Sequence, residues 1–547
     1  MVRYPVSNSY TGRPLNLVET KPAFPVLTAD DYAAAVRSRN LRFALGATLL
    51  ALAMAVAYTV LELDKPIFPL LLFTIVITPI LLWRLPRMAL YVTFSAVCLF
   101  EIFKTIYSDS LTDGVPFFWN FNTIVQMYTG QEFTAVPFNL FEVFAITAAF
   151  CSTFRTVFTK TTDIRVGAML YPILLYLAFV LMGWAHGIMS GGDFKISLQE
   201  VRAQFYFLFA YLMAFNMVRD RSHLRAIMWI MVICIGIKGI LYTFRRFVTL
   251  SGLPVPDQGV GSHEEAFFFD CFIVWFLVLL LCGLHKRMQY FMWALLPLVL
   301  LGDFACNRRA ATAAFIIVIP VLLLAAYRAF PERRKFAAIV GVVLLVGFSS
   351  YYRAFRNSDS LYAQPARAVK SQFEPDERDA SSNAYRDAEA ADLYATIKSS
   401  PIIGYGYGRP MFHAVPIADI SADYPLWDIM THNQILWVWM RVGSIGFFVF
   451  WMMICGIIVQ ACMTMRSLAS DQETKAVALF TLLAVCMLLM FGLLDLQLSN
   501  FRDMLFVGFF TGLMVGMPLL KQLPISDFGG RRSTESAIID SENGEAA

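Results

Sequence analysis

The sequence predicts an all-α, polytopic membrane protein, and three features carry that expectation: its composition, the length of its apolar runs and the placement of its basic residues. Of 547 residues, 58% are hydrophobic and 15% are charged, with a mean hydropathy of +0.60. A soluble globular chain carries about 25% charged residues. A surface that faces lipid removes the need to hide so much apolar area from water. The formal charge of +4 is small and indicates no class of partner. No basic-aromatic pattern is present, so no nucleic acid is expected. The nine cysteines lie in or beside apolar runs without metal-ligand spacing, which reads as packing residues and not a disulfide framework.

A membrane-spanning helix needs about 20 mostly apolar residues. Residues 1–40 are polar and carry Arg3, Arg13, Lys21, Arg37 and Arg39, which predicts a cytoplasmic tail ahead of a signal-anchor helix. Apolar runs follow near 41–61, 66–83, 88–104, 138–156, 167–187, 200–217, 226–244, 266–284, 289–305, 310–327 and 336–352. Three more lie near 434–461, 476–495 and 504–520. The expectation is about 12–14 spans. The chain then divides into a tail (1–40), a first helical block (41–352), a large polar loop with short helices (353–433), a C-terminal helical block (434–520) and a disordered cytoplasmic tail (521–547).

Basic residues give the orientation. Clusters at Arg84/Arg87, Arg155/Lys160/Arg165, Arg219/Arg221/Arg225, Lys286/Arg287, Arg328/Arg333/Arg334/Lys335, Arg466/Lys475 and Lys521/Arg531/Arg532 fit an inside placement with both termini cytoplasmic. They do not fall at strictly alternate connections, so at least one expected span is miscounted or re-entrant. Loops 105–137 and 353–433 then lie outside. The aromatics Phe117, Phe118, Trp119, Phe121 and Tyr128 place the first loop at the membrane interface.

Candidate chemistry gathers on that outer side. The stretch Asn383–Lys398 reads as an amphipathic helix with Leu393, Tyr394 and Ile397 on one face. It stops at Ser399-Ser400-Pro401, and Gly404, Gly406 and Gly408 follow at alternate positions, permitting a tight backbone path. Thr431-His432-Asn433 then enters the next apolar run, so His432 sits at the head of a membrane helix with a side chain suited to moving protons. Arg202, Arg245, Arg246, Arg308, Arg309 and Arg386 all fall on the same side, against the usual loop bias. Guanidinium forks suit phosphate oxygens. Glu264, in His263-Glu264-Glu265, adds a carboxylate to the same end. For Glu101, Glu142, Lys238, Asp270, Arg441 and Asp495, within or near spans, structural pairing is the expectation. Asp-x-Asp and Walker-type glycine motifs are lacking, so neither a metal nor a nucleotide cofactor is expected.

These elements together resemble the O-antigen ligase and O-antigen polymerase superfamily. The elements are Arg386, the turn Pro401-Ile402-Ile403-Gly404-Tyr405-Gly406-Tyr407-Gly408, and His432-Asn433 entering a helix that continues through Arg441-Val442-Gly443. Asn307-Arg308-Arg309-Ala310-Ala311 is similar to a small-residue–arginine motif of that family, with the usual Ser-Arg-Gly altered and the matching arginine left open. Arg202 sits where a family arginine begins an earlier span. The resemblance implies a C-type glycosyltransferase-like fold in a bacterial cytoplasmic (inner) membrane, working at the periplasmic face. It implies transfer of a glycan from an undecaprenyl-diphosphate carrier to a hydroxyl of lipid A core sugar or a growing polysaccharide. Arg202 with Arg308 or Arg309 would clamp the diphosphate, and His432 would take the acceptor proton. Arg386, Asn433, Gly404, Gly406, Gly408, Arg245, Arg246 and Glu264 would bind substrate. The rival expectation is a transporter or flippase for anionic or lipid-linked substrates, with Lys238, Arg441 and Asp495 lining a central path.

Overall fold

In the computed structural model the described residues are 78–85, 87–102, 112, 115–130, 138–159, 165–253, 259–421, 424–467 and 471–520. The tails 1–40 and 521–547, the first expected span and most of the second lie outside them. The first helices are α1 (Arg87–Leu99), α2 (Phe121–Thr129), α3 (Leu140–Thr159), α4 (Leu170–Met189), α5 (Phe194–Met217) and α6 (Arg221–Phe244), which ends in a π-helical turn at Arg245–Thr249. Next come α7 (Glu265–Cys282), α8 (Lys286–Cys306), α9 (Arg309–Ala329) and α10 (Arg334–Phe355). The polar segment adds α11 (Gln364–Lys370) and α12 (Glu377–Ser399). The chain closes with α13 (Gln434–Ser467), α14 (Gln472–Gly492) and α15 (Phe501–Gly516).

Among the described residues nine helices are long and apolar enough to cross a membrane: α4, α6 to α10, and α13 to α15. Thr78–Arg84 and α1 form a bent pair that would make a tenth. Helices α3 and α5 occupy the expected spans near 138–156 and 200–217. The protein is an all-α polytopic membrane protein, as its sequence predicts.

Burial orders the bundle. In α7, α14 and α15 about nine-tenths of the apolar stretch is enclosed (89%), whereas in α10 the share is 6%. A helix that is hydrophobic all round belongs either in a core or against lipid, and both kinds occur here. Helix α15 lies along α5 because Gly508, Gly512 and Gly516 fall on one face, against Phe207, Tyr211 and Phe215. At Gly512 an added methyl would sit 3.0 Å from Ala214 Cβ and closer still to the Tyr211 carbonyl. Small residues at this spacing let membrane helices approach by dispersion contact.

Several charges inside the bundle are paired. Lys238 meets Glu101 and also Glu265, at 3.1 Å. Arg502 meets Glu265 and, at 3.2 Å, Glu264. Arg441 meets Glu200 at 2.7 Å, with both side chains fully buried. Removing one partner of such a pair leaves a charge stranded at a cost of about 3–5 kcal/mol. At the opposite end of α14 from Asp495, Glu473 collects Arg221, Arg225 and His285, and Lys475 donates to the Ala329 carbonyl at 3.0 Å. Several basic clusters expected on one side of the membrane therefore meet at one end of the bundle.

Three expectations need correction. Cys455 and Cys462 are exposed on α13 and are not core packing residues, although six of the other cysteines are buried. Phe118 and Trp119 are buried, so this aromatic pair does not lie on an interfacial surface. On α12 the buried face is Glu389, Asp392, Leu393, Thr396 and Ile397, while Tyr394 points outward. Tyr394 lies 100° beyond Leu393 on the helical wheel, which is enough to carry it off the covered stripe.

Candidate active site

One end of the bundle opens into a cavity of about 1310 Å³ whose walls carry six arginines: Arg202, Arg308, Arg309, Arg367, Arg378 and Arg386. Against them stand four carboxylates, Glu264, Asp376, Asp379 and Asp495, and two histidines, His263 and His432. The volume exceeds the roughly 300–1,000 Å³ of ordinary small-molecule pockets.

Local sequence explains how each cation reaches the wall. Between α8 and α9 the chain reverses at Asn307, whose φ of 53° is left-handed. Asparagine tolerates that region better than most residues, and the reversal sets Arg308 and Arg309 at the start of α9, both against the cavity. Arg309 is paired with Asp379 at 3.1 Å. Arg202, buried in α5, is aimed by Asn120 at 2.8 Å and by Glu142 at 2.9 Å. Glu142 in turn accepts from the Tyr206 hydroxyl at 2.8 Å. Arg386 forms no ion pair or hydrogen bond among the described residues, so its charge is open to a ligand. Helix α12 begins at an Asp376 cap that accepts from the Asp379 N–H at 2.7 Å. Arg378, Ser382, Arg386 and Glu389 follow at spacings of four, four and three on one face, a stripe about 16 Å long at 1.5 Å per residue.

That stripe ends on His432. Glu389 is buried and holds His432 twice, accepting from the backbone N–H and facing Nδ1, both at 3.0 Å. The Tyr385 ring meets the imidazole edge-on at 5.7 Å. A carboxylate accepts only, so the Nδ1 proton is fixed toward Glu389 and Nε2 is the basic nitrogen. Burial works to lower the His432 pKa, but the Glu389 hydrogen bond and charge overturn it, with Asp495 adding to them, and the pKa is raised.

A second histidine–carboxylate pair shares the cavity: His263 Nδ1 lies 3.1 Å from Asp495. Burial would raise the Asp495 pKa. His263, Arg308 and His432 outweigh it and hold the carboxyl well below its ordinary range.

The other residues expected to bind substrate stand elsewhere. Gly404, Gly406 and Gly408 have φ of 91°, 87° and 80° and thread between α4, α5 and α13. Gly404 abuts the break in α13 at Gly443, and at Gly406 an added Cβ would fall 2.5 Å from Gly187 Cα. Their conformational freedom serves chain packing and not ligand approach. Asn433 caps α13, accepting from the Leu436 N–H at 3.1 Å. Arg245 is buried, donates to the Val260 carbonyl at 2.8 Å and lies over the Tyr242 ring; Arg246 donates to the Leu250 carbonyl at 3.0 Å.

Sequence reasoning missed Glu389, Arg367 and Arg378. Glu389 had a legible signal, since it lies four and eight residues before Leu393 and Ile397, an acid on the covered face of an amphipathic helix. Arg378 lies eight residues before Arg386 on the same face of α12, a periodic signal as well, whereas nothing local marks Arg367.

Residues 293–451 match the sequence model of the O-antigen ligase family. The expected resemblance to O-antigen ligases and polymerases is thereby shown. The match runs from α8 into α13 and contains Arg308, Arg309, Arg386, Glu389, the glycine turn and His432. It supports glycan transfer of the O-antigen ligase and polymerase type, with lipid-linked glycan and acceptor as the general substrate classes, in a multi-pass membrane protein. The remaining walls of the cavity, including Arg202, His263 and Asp495, come from outside the matched segment. No curated protein matches the chain.

Proposed function

We propose that this protein transfers a glycan from an undecaprenyl-diphosphate carrier to an acceptor hydroxyl, on a lipid A core sugar or a growing polysaccharide, at the periplasmic face of a bacterial inner membrane. The observation that carries the reading is His432, held by the buried Glu389, on the wall of an arginine-rich cavity of about 1310 Å³. Nε2 of His432 takes the proton of the acceptor hydroxyl as its oxygen bonds to the anomeric carbon. A positioned general base contributes about 10²–10⁴-fold in rate. Arg202, Arg308, Arg309 and Arg386 hold the diphosphate, on which negative charge grows as the glycosidic bond breaks. Cations preorganised for that charge act on the transition state more than on the ground state. Arginine supplies the charge, so the transfer needs no metal.

The rival reading, a transporter, would use Lys238, Arg441 and Asp495 as a central path. Lys238 and Arg441 are instead fully buried and each is paired with glutamate. Asp495 lies on the cavity wall with His263.

The test is transfer by purified protein from a lipid-diphosphate-linked glycan in detergent with EDTA, wild type beside His432→Ala. Product from wild type that falls by at least about 10²-fold in the variant supports the reading. Near-normal product from a folded His432→Ala variant would overturn the base assignment, and donor binding without product from wild type would favour transport.

A further inference from the structure

Taking a proton from the acceptor is one half of the proton traffic of such a transfer; the phosphate oxygen that leaves the anomeric carbon gains negative charge and is the other atom to which a proton can be given. The cavity holds a group suited to that second half. His263 stands just ahead of α7, beside Ser262 and Glu264, and all three line the cavity. Its side chain is 41% exposed, while Asp495 is 4% exposed. Nδ1 faces the Asp495 carboxylate at 3.1 and 3.3 Å, so the remaining ring nitrogen is Nε2.

The stretch 259–264 that carries His263 is fixed in place from several sides. Gly259, with φ of 79°, packs on the Cys306 carbonyl so closely that no Cβ fits. Gly261 is equally tight on the Tyr242 ring. The Val260 N–H donates to Ala305 O at 3.0 Å and its own carbonyl accepts from Arg245 at 2.8 Å. A side chain whose supports are held this firmly is preorganised for a positioned role. Asp495 also acts electrostatically on Arg308 and His432, which line the same cavity. The cavity thus holds two histidines and an arginine within the field of one buried carboxylate.

We propose that His263, held by Asp495, is a second proton-transfer residue of the site: as imidazolium it donates from Nε2 to the phosphate oxygen that leaves the anomeric carbon. The assignment rests on the glycan-transfer reading above. In the step, the acceptor oxygen bonds to the anomeric carbon and its proton passes to His432 Nε2. The bond from that carbon to the phosphate oxygen breaks with its electron pair on oxygen, and the His263 proton joins that oxygen. His432 ends protonated and His263 neutral, and one net proton passed from the first to the second through solvent restores the starting state. No oxidant, reductant or further reactant is required.

The experiment is single-turnover transfer from the lipid-diphosphate donor by wild type, His432→Ala, His263→Ala and His263→Gln, with donor binding and thermal unfolding measured on each. His263→Ala and His263→Gln are expected to unfold and bind donor like wild type and to transfer about 10²–10⁴-fold more slowly. Added imidazole should restore His263→Ala and leave His263→Gln, whose cavity is filled, slow. Transfer within about threefold of wild type in both variants overturns the proposal, as does a loss that follows donor binding and ignores imidazole. If His432→Ala is inactive while both His263 variants are normal, only the second proton site fails. If wild type itself forms no product, the glycan-transfer reading fails and takes this inference with it.

Discussion

The two faces of the polar segment between α10 and α13 use their sequence in opposite ways. On one face α11 and the stripe of α12 hold side chains against open volume: Arg367, Arg378, Arg386, and Glu389 behind His432. On the other, Gly404, Gly406 and Gly408 hold backbone against backbone, with Gly183, Gly187 and Gly443 as partners and no volume between. Asp392 belongs to the second kind of work, since it accepts from the Ala414 and Val415 N–H groups at 2.8 and 2.9 Å and pins the returning chain to α12. Charge beside a cavity can act on a ligand, whereas a positive-φ glycine in a closed contact acts on the fold. Both kinds look equally functional as a motif, and only packing tells them apart.

The largest expected difference between the faces is in transfer rate. Arg308→Ala should slow transfer by about 10²–10³-fold, as removal of a preorganised donor does elsewhere, with the thermal midpoint little changed. Arg308→Lys should recover only part of the loss, because a point charge replaces a fork. A rate within a few-fold of wild type for Arg308→Ala would move the clamp to the remaining arginines.

Glu389→Gln sharpens the same side. The amide no longer requires the Nδ1 proton, so transfer should fall by about tenfold or more. The pH profile should move as well. His432 acts as a base only when neutral, so activity disappears as pH falls through its pKa, which lies raised above about 6.5. Glu389, Asp495, Tyr385 and Arg386 face the imidazole, and Glu389 is the strongest of the raising groups. In Glu389→Gln the acidic limb should therefore shift to lower pH. An unmoved limb would mean that another group titrates.

On the packing face, Gly406→Ala should lower stability by about 1–3 kcal/mol, through overpacking against Gly187 and strain at positive φ. Thermal unfolding in detergent reads that loss. The smallest effect belongs to Arg246→Ala, which removes one hydrogen bond to the Leu250 carbonyl and should leave transfer within about twofold.

How much of this was legible varies with the kind of information each feature needs. Membrane helices announce themselves by length and apolarity, because lipid demands both; α7, α14 and α15 were found for that reason. The arginines at helix ends were found because charge there is costly without cause. The division between Arg308/Arg309 and Arg245/Arg246 was invisible, since both are adjacent arginine pairs at helix ends. What separates them is the Asn307 reversal, which faces one pair into the cavity, while Arg245 turns back on Tyr242 and Val260. Asp495 was expected only to pair structurally, and its partner His263 lies 232 residues away, a distance that no local pattern spans.

The measurement that tests the central claim most directly is the transfer rate per folded molecule for His432→Ala and Gly406→Ala, taken side by side with their thermal midpoints. The account predicts a split: His432→Ala keeps its midpoint and loses at least about 10²-fold in transfer, while Gly406→Ala loses stability and its folded fraction transfers at close to the wild-type rate. The reverse pattern, a fully active folded His432→Ala beside a stable but inactive Gly406→Ala, would contradict it and place the chemistry at the glycine turn.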